Sequence, residues 1–117
     1  MIILMIIFGH MDFFWSFKKS LLQNIDDKVK TICVGAGSGS KLLNNSKADL
    51  IITGEFSHHE ILHEVHRGTS VIVTDHSNCE RGYGLVFRDR FGQLLKKYNE
   101  SVEILLSEID RDPLQYI

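Results

Sequence analysis

Residues 48–74 read ADLIITGEFSHHEILHEVHRGTSVIVT, and the pattern of this stretch decides the fold class. ADLIIT (48–53) and SVIVT (70–74) are near-continuous apolar runs, the signature of strands buried on both faces. Between them Ser57 precedes an apolar-periodic segment that Gly68 closes, which predicts a helix over 57–67 with Ser57 as its cap. Strand, helix and strand in that order predict a parallel pair joined by a right-handed crossover.

The same alternation continues outward. VKTICV (29–34) reads as a strand, GAGSGS (35–40) as a glycine-rich turn and KLLNN (41–45) as a short helix. Downstream, residues 76–99 hold the longest helix, starting near Asn78, and SVEILLS (101–107) reads as a fourth strand. Upstream, DFFWSFKKSLLQNI (12–25) reads as an amphipathic helix. Phe14, Phe17, Leu21, Leu22 and Ile25 recur at helical spacing, with Lys18 and Lys19 opposite. The fold class expected is α/β, a mostly parallel sheet with crossover helices.

Composition narrows the function. A chain of 117 residues, 44% hydrophobic and 24% charged, makes one small domain that hides about two-thirds of its unfolded surface. Its formal net charge of −2 and lack of a basic run give no direct nucleic-acid signal and no case for an anionic membrane. MIILMIIF (1–8) is too short to span a bilayer and lacks the flanks of a secretory signal. Cys33 and Cys79 form no C-x-x-C pair, which favours reduced thiols in a cytoplasmic setting.

Three motifs carry chemistry. HEILH (59–63) fits H-E-x-x-H, the helix motif of zinc proteases. On a helical wheel Ile61, Leu62 and Val65 define the buried face with His58 near its middle. His59, His63 and His66 then lie on a flank roughly 120° away. A short crossover helix turns that flank to solvent, so the match reads as chance, with adventitious metal binding by His59 and His63. GAGSGS lacks the Gly-Lys-Ser/Thr of a P-loop and places Ser40 where a third glycine of G-x-G-x-x-G belongs. Glu55 stands twenty residues past Gly35, near the place of a ribose-binding acid. The segment is either a tight turn whose serines cap the next helix, or an anion-binding loop of Gly35, Gly37, Ser38 and Gly39. In DHSNCERG (75–82), His76 at the end of a strand and Glu80 in the first turn of a helix can converge on one cation, zinc, manganese or iron. Asp75 is placed to orient the histidine. The plainer reading of Glu80 is a charge favoured by the helix dipole. The polar groups at three consecutive strand ends, Gly35–Ser40, Glu55 with His58, and Asp75 with His76 and Glu80, fall where open α/β sheets bind ligands.

Taken together, GAGSGS, ADLIITGEFSHHE, VIVTDHSNCERGY and LLSEIDRDPLQ resemble, in this order, the NGG-interacting-factor-three-like family, also described as GTP cyclohydrolase I type 2 homologues. The set looks most like the eukaryotic branch and spans 29–117. The resemblance implies an α/β fold of two similar halves with two metal ions between them. It maps the C-terminal histidine and glutamate ligands onto His76 and Glu80, with Glu55 and His58 as supporting or substrate-facing groups. The family's remaining ligands belong to an N-terminal half that these residues do not contain. The expectation is therefore a C-terminal half-domain over 29–117, preceded by an atypical apolar segment and helix over 1–28. The metal site is half built and is completed by a homo-oligomer partner or a complementing half. The implied chemistry is metal-assisted hydrolysis. The rival expectation is a protein-interaction or transcriptional co-regulator module, cytoplasmic or nuclear, without catalysis. Dinucleotide binding through GAGSGS ranks behind both.

Overall fold

A computed structural model of the chain describes residues 16–18, 26, 28–98 and 101–112. In chain order its elements are β1 (Ser16–Lys18), β2 (Ile32–Gly35), α1 (Ser40–Leu43), β3 (Leu50–Thr53), α2 (His58–His66), β4 (Ser70–Val73), α3 (His76–Arg81) and α4 (Tyr83–Lys96). The sheet order is β1-β4-β3-β2. β2, β3 and β4 are parallel, and β1 pairs antiparallel with β4. This is a mixed α/β architecture with a parallel three-stranded centre, as the apolar runs predict.

The register explains the core. Cys33, Ile51 and Val71 share one face of the sheet, and Leu50, Ile52 and Ile72 lie on the other. On the first face Ile51 and Val71 are fully buried and pack with Leu43 of α1 and Val65 of α2. Each such side chain contributes about 1.5–3 kcal/mol by leaving water. Helix α2 begins in a capping box: the Glu60 N–H donates to Ser57 Oγ, and the Ser57 N–H donates to Glu60 Oε2 at 2.7 Å. It stops before Gly68, whose φ of +99° suits glycine.

Four expectations are corrected. Residues 16–18 form a strand inside the stretch expected to be helical, because β4 needs an edge partner and residues 16–18 supply it. The rest of 12–25 lies outside the described residues, as does MIILMIIF. Residues 101–107 form no strand. The fourth strand of the sheet is β1, and Ile104 and Leu106 lie against the glycines of α4 instead. The single helix expected from Asn78 is two helices. α3 starts at His76, and the Gly82 N–H bonds the Glu80 carbonyl, breaking the helical ladder before α4. Finally, the buried side of α2 is Val65 and the fully buried Glu64, with Ile61 partly covered, whereas Leu62 and His58 are exposed. The wheel turns because Glu64 finds partners inside: the Asn45 N–H at 3.2 Å and Arg67 at 3.4 Å.

Candidate metal site

β2, β3 and β4 all end on the same side, and the turns that follow them meet there. The turn after β2 is locked to the other two. The Glu55 N–H donates to the Gly37 carbonyl at 3.0 Å, and the Gly37 N–H donates to Cys79 Sγ at 3.1 Å. Cys79 in turn donates to the His76 carbonyl at 2.9 Å. Two glycines make this approach possible. A Cβ on Gly54 would stand 2.7 Å from the Gly37 carbonyl oxygen and 2.8 Å from Cys79 Sγ. Gly37 adopts φ +58°, and a Cβ there would lie 2.5 Å from Glu80 Oε1 and 3.2 Å from His76 Nε2. The absent side chain of Gly37 is thus the space in which the Glu80 carboxylate and the His76 ring meet.

His76 stands between two carboxylates. Its Nδ1 lies 3.1 Å from Glu55 Oε2, and its Nε2 lies 3.5 Å from Glu80 Oε2. All three side chains are about half exposed. The hydrogen bond to Glu55, reinforced by the negative charges of Glu55 and Glu80, raises the imidazole pKa above its ordinary value.

The two contacts differ in kind. The Nδ1 separation is that of a hydrogen bond. The Nε2 separation is longer than a charge-assisted hydrogen bond of about 2.7–2.9 Å. It is close to the roughly 3.3 Å expected between two ligands that each sit about 2.0–2.1 Å from a tetrahedral ion. An imidazole that offers one nitrogen to a cation while the other donates to a carboxylate is a recurring metal-site arrangement. The residues present therefore offer two donors, His76 Nε2 and Glu80, that could face one divalent ion, with Glu55 holding the ring. Two ligands are fewer than a closed site needs, and among the described residues no group of three or more His, Cys, Asp and Glu side chains is arranged to hold an ion.

Of the residues singled out from sequence, the structure brings Gly37, Glu55, His76 and Glu80 together. His58 is exposed and makes an edge-to-face contact with His59, ring centroids 5.7 Å apart. Asp75 adopts φ +64° at the start of α3, and the carboxylate on His76 Nδ1 belongs to Glu55. His59 and His63 are both exposed on α2. Gly39 supplies its carbonyl to the first turn of α1, and the Gly37 amide is already bonded to Cys79. Sequence reasoning missed Cys79 as the link between the glycine turn and α3. The one available signal was its position three residues after His76, one helical turn on.

The profile of the family described as Duf34/NIF3 (NGG1p interacting factor 3) matches residues 15–113. The chain is 43% identical over 95 residues to NIF3-like protein 1 of Bos taurus, covering 81% of this chain and 24% of that protein. It is 44% identical over 89 residues to NGG1-interacting factor 3 of Saccharomyces cerevisiae, covering 74% of this chain and 29% of that one. The chain thus spans about a quarter of the length of these curated relatives. Its fold is similar to that of a Bacillus cereus protein related to NIF3, with a TM-score of 0.71, 21% identity, and coverage of 88% of this chain and 28% of that one.

Proposed function

The chain belongs to the Duf34/NIF3 (NGG1p interacting factor 3) family, and on that premise we propose that it contributes the C-terminal half of a dinuclear metal centre with hydrolytic chemistry. The observation that carries the reading is the placement of His76, with Nδ1 on Glu55 and Nε2 3.5 Å from Glu80. In this reading His76 and Glu80 are the ligands this chain supplies. Glu55 fixes the ring so that Nε2 faces the ion, and Gly37 keeps the space between them clear. A divalent ion held there supplies Lewis-acid polarisation and makes a water more acidic. Binding expels the Nε2 proton, so affinity falls as pH drops through the raised pKa of His76. The remaining ligands would come from the part of the family's fold that these residues do not span, or from a second copy.

A second reading, a protein-interaction module without catalysis, has its own support. The yeast relative is named as an interacting factor. Helix α4 buries no residue and exposes Tyr83, Phe87 and Phe91 as one stripe, with Phe87 and Phe91 stacked at 5.4 Å.

Metal content of tag-free protein, measured by elemental analysis after dialysis against zinc or manganese, separates the two. The metal-centre reading predicts bound metal that His76→Ala removes and a His59→Ala/His63→Ala double variant retains. Metal lost only in the double variant assigns the ion to HEILH and contradicts the reading. A folded chain that holds no metal favours the interaction module.

A further inference from the structure

Helix α4 presents three edges of different character. One is packed: Ile104 and Leu106 lie against Gly92 and Gly84. Beside it runs an apolar stripe of Tyr83, Phe87, Phe91 and Leu94, with Tyr98 just past the helix end. Their spacings of four, four, three and four residues keep them within about 80° of the helix circumference. Exposure runs from 39% at Phe91 to 71% at Tyr98, so five large side chains in a row are left in water. Tyr83, Phe87 and Phe91 lie ring to ring, with centroids 6.3 and 5.4 Å apart, which preforms the surface.

The third edge is basic. Arg90 and Lys97, one heptad apart, stand about 20–40° beyond Tyr83 on the wheel. Both are exposed, and neither pairs with an acid among the described residues. Asp89, the single acid of α4, is held by Arg88 at 3.0 Å. Charge chooses among the occupants an apolar stripe can take. A second copy packed antiparallel about a two-fold axis sets Arg90 and Lys97 of one chain against those of the other. In a parallel pair the basic edge meets the edge that Ile104 and Leu106 already close. An anionic bilayer gains only two cations here and faces a chain of net charge −2. An amphipathic helix with acidic flanks meets neither obstacle: its apolar anchors at i, i+3, i+4 and i+7 fit the stripe, and its carboxylates fit the basic edge.

We propose that α4 docks an acidic amphipathic helix of a protein partner, with the partner's apolar residues on the stripe from Tyr83 to Tyr98 and its carboxylates against Arg90 and Lys97. The proposal rests on the interaction reading and adds the chemistry of the partner, and the two can fail separately.

The probe is a fluorescein-labelled synthetic peptide of about four turns, the length of the 14-residue α4, with leucines on one face and glutamates on its flanks. A peptide with lysine for every glutamate and a scrambled peptide serve as controls, and binding to the full chain is read by fluorescence anisotropy. The acidic peptide should bind saturably, at least about tenfold more tightly than either control, and more weakly as salt is added. Phe87→Ala/Phe91→Ala should weaken it at least about tenfold and keep the thermal midpoint, because both rings are exposed. Arg90→Glu/Lys97→Glu should turn the preference toward the lysine peptide, a reversal that a merely structural role would not produce. No saturable binding of any peptide overturns the proposal and removes the support the stripe gives to the interaction reading. Equal binding of the glutamate and lysine peptides, both lost in Phe87→Ala/Phe91→Ala, overturns the acidic partner and leaves the interaction reading standing. Acidic-peptide binding unchanged in that variant overturns the stripe as the docking surface. Two further results overturn the proposal in favour of another occupant. A dimer of the chain alone, seen by light scattering and dispersed by Phe87→Ala/Phe91→Ala, assigns the stripe to a second copy. Co-sedimentation with phosphatidylserine vesicles that the same variant abolishes assigns it to a membrane.

Discussion

At the N-terminal end of the parallel strands, carboxylates are anchored. Asp49 accepts from the Lys30 and Thr31 amides, both at 2.8 Å, and from Thr31 Oγ1, tying the start of β3 to the start of β2. Glu64 is fully buried against the Asn45 amide and Arg67. At the C-terminal end, Glu55 and Glu80 flank one histidine and remain about half exposed. The first end spends its acidic groups on stitching the fold together. The second, where Glu60 too is anchored by the Ser57 amide, leaves Glu55 and Glu80 in a small, open, negatively charged cluster around His76. In one small sheet, the same residue type is structural where backbone amides meet it and chemically available where they do not.

Substitutions sharpen this contrast, starting with the largest expected effect. Glu64→Ala leaves a cavity and an unpaired Asn45 amide, and should lower unfolding free energy by about 3 kcal/mol in urea titration. Glu80→Ala, at the open end, should change the same titration little. A loss at Glu80 comparable to that at Glu64 would break the comparison. Gly37→Ala comes next. A side chain at φ +58° costs about 1–2 kcal/mol, and its Cβ would displace Glu80, so metal binding should fall by more than stability does. Retained metal binding in Gly37→Ala would detach the glycine turn from the site.

The smallest effects are the pH dependences, and they run in opposite directions. Backbone amides hold the Asp49 pKa below its ordinary 3.8. Its contribution to stability is therefore present above that value and lost as pH falls through the lower folded pKa. Glu55 holds the His76 pKa above 6.5. Its contribution is complete below 6.5 and lost as pH rises through the higher folded pKa. Urea midpoints of metal-free protein should therefore fall at the acid end in a way Asp49→Asn flattens, and at the alkaline end in a way Glu55→Gln flattens.

Much of the fold was legible in the sequence because β3, α2 and β4 obey local rules. Continuous apolar runs make strands buried on both faces, and Ser57 with Glu60 makes a cap that needs no tertiary help. The errors came where distant segments compete. Phe14, Phe17 and Leu21 have helical spacing, yet residues 16–18 answer the demand of β4 for an edge partner. SVEILLS has strand composition, yet its Ile104 and Leu106 lie against Gly92 and Gly84 of α4 rather than in the sheet. Glu64 looked like one more solvated acid, because nothing local announces that Asn45 and Arg67 will enclose it. His76 and Glu80 were legible as a pair four residues apart. That Glu55, and not the adjacent Asp75, meets His76 Nδ1 follows from how β3 and β4 end side by side, which only the register fixes.

The central claim is that His76 offers Nε2 to a cation while Glu55 keeps Nδ1. Nitrogen–proton correlation spectra of the imidazole rings, recorded with and without zinc, test it directly. The account predicts that zinc removes the Nε2 proton of His76 and leaves a hydrogen-bonded proton on Nδ1, with His59 and His63 unmoved. Zinc shifts confined to His59 and His63, with His76 unchanged, would contradict it.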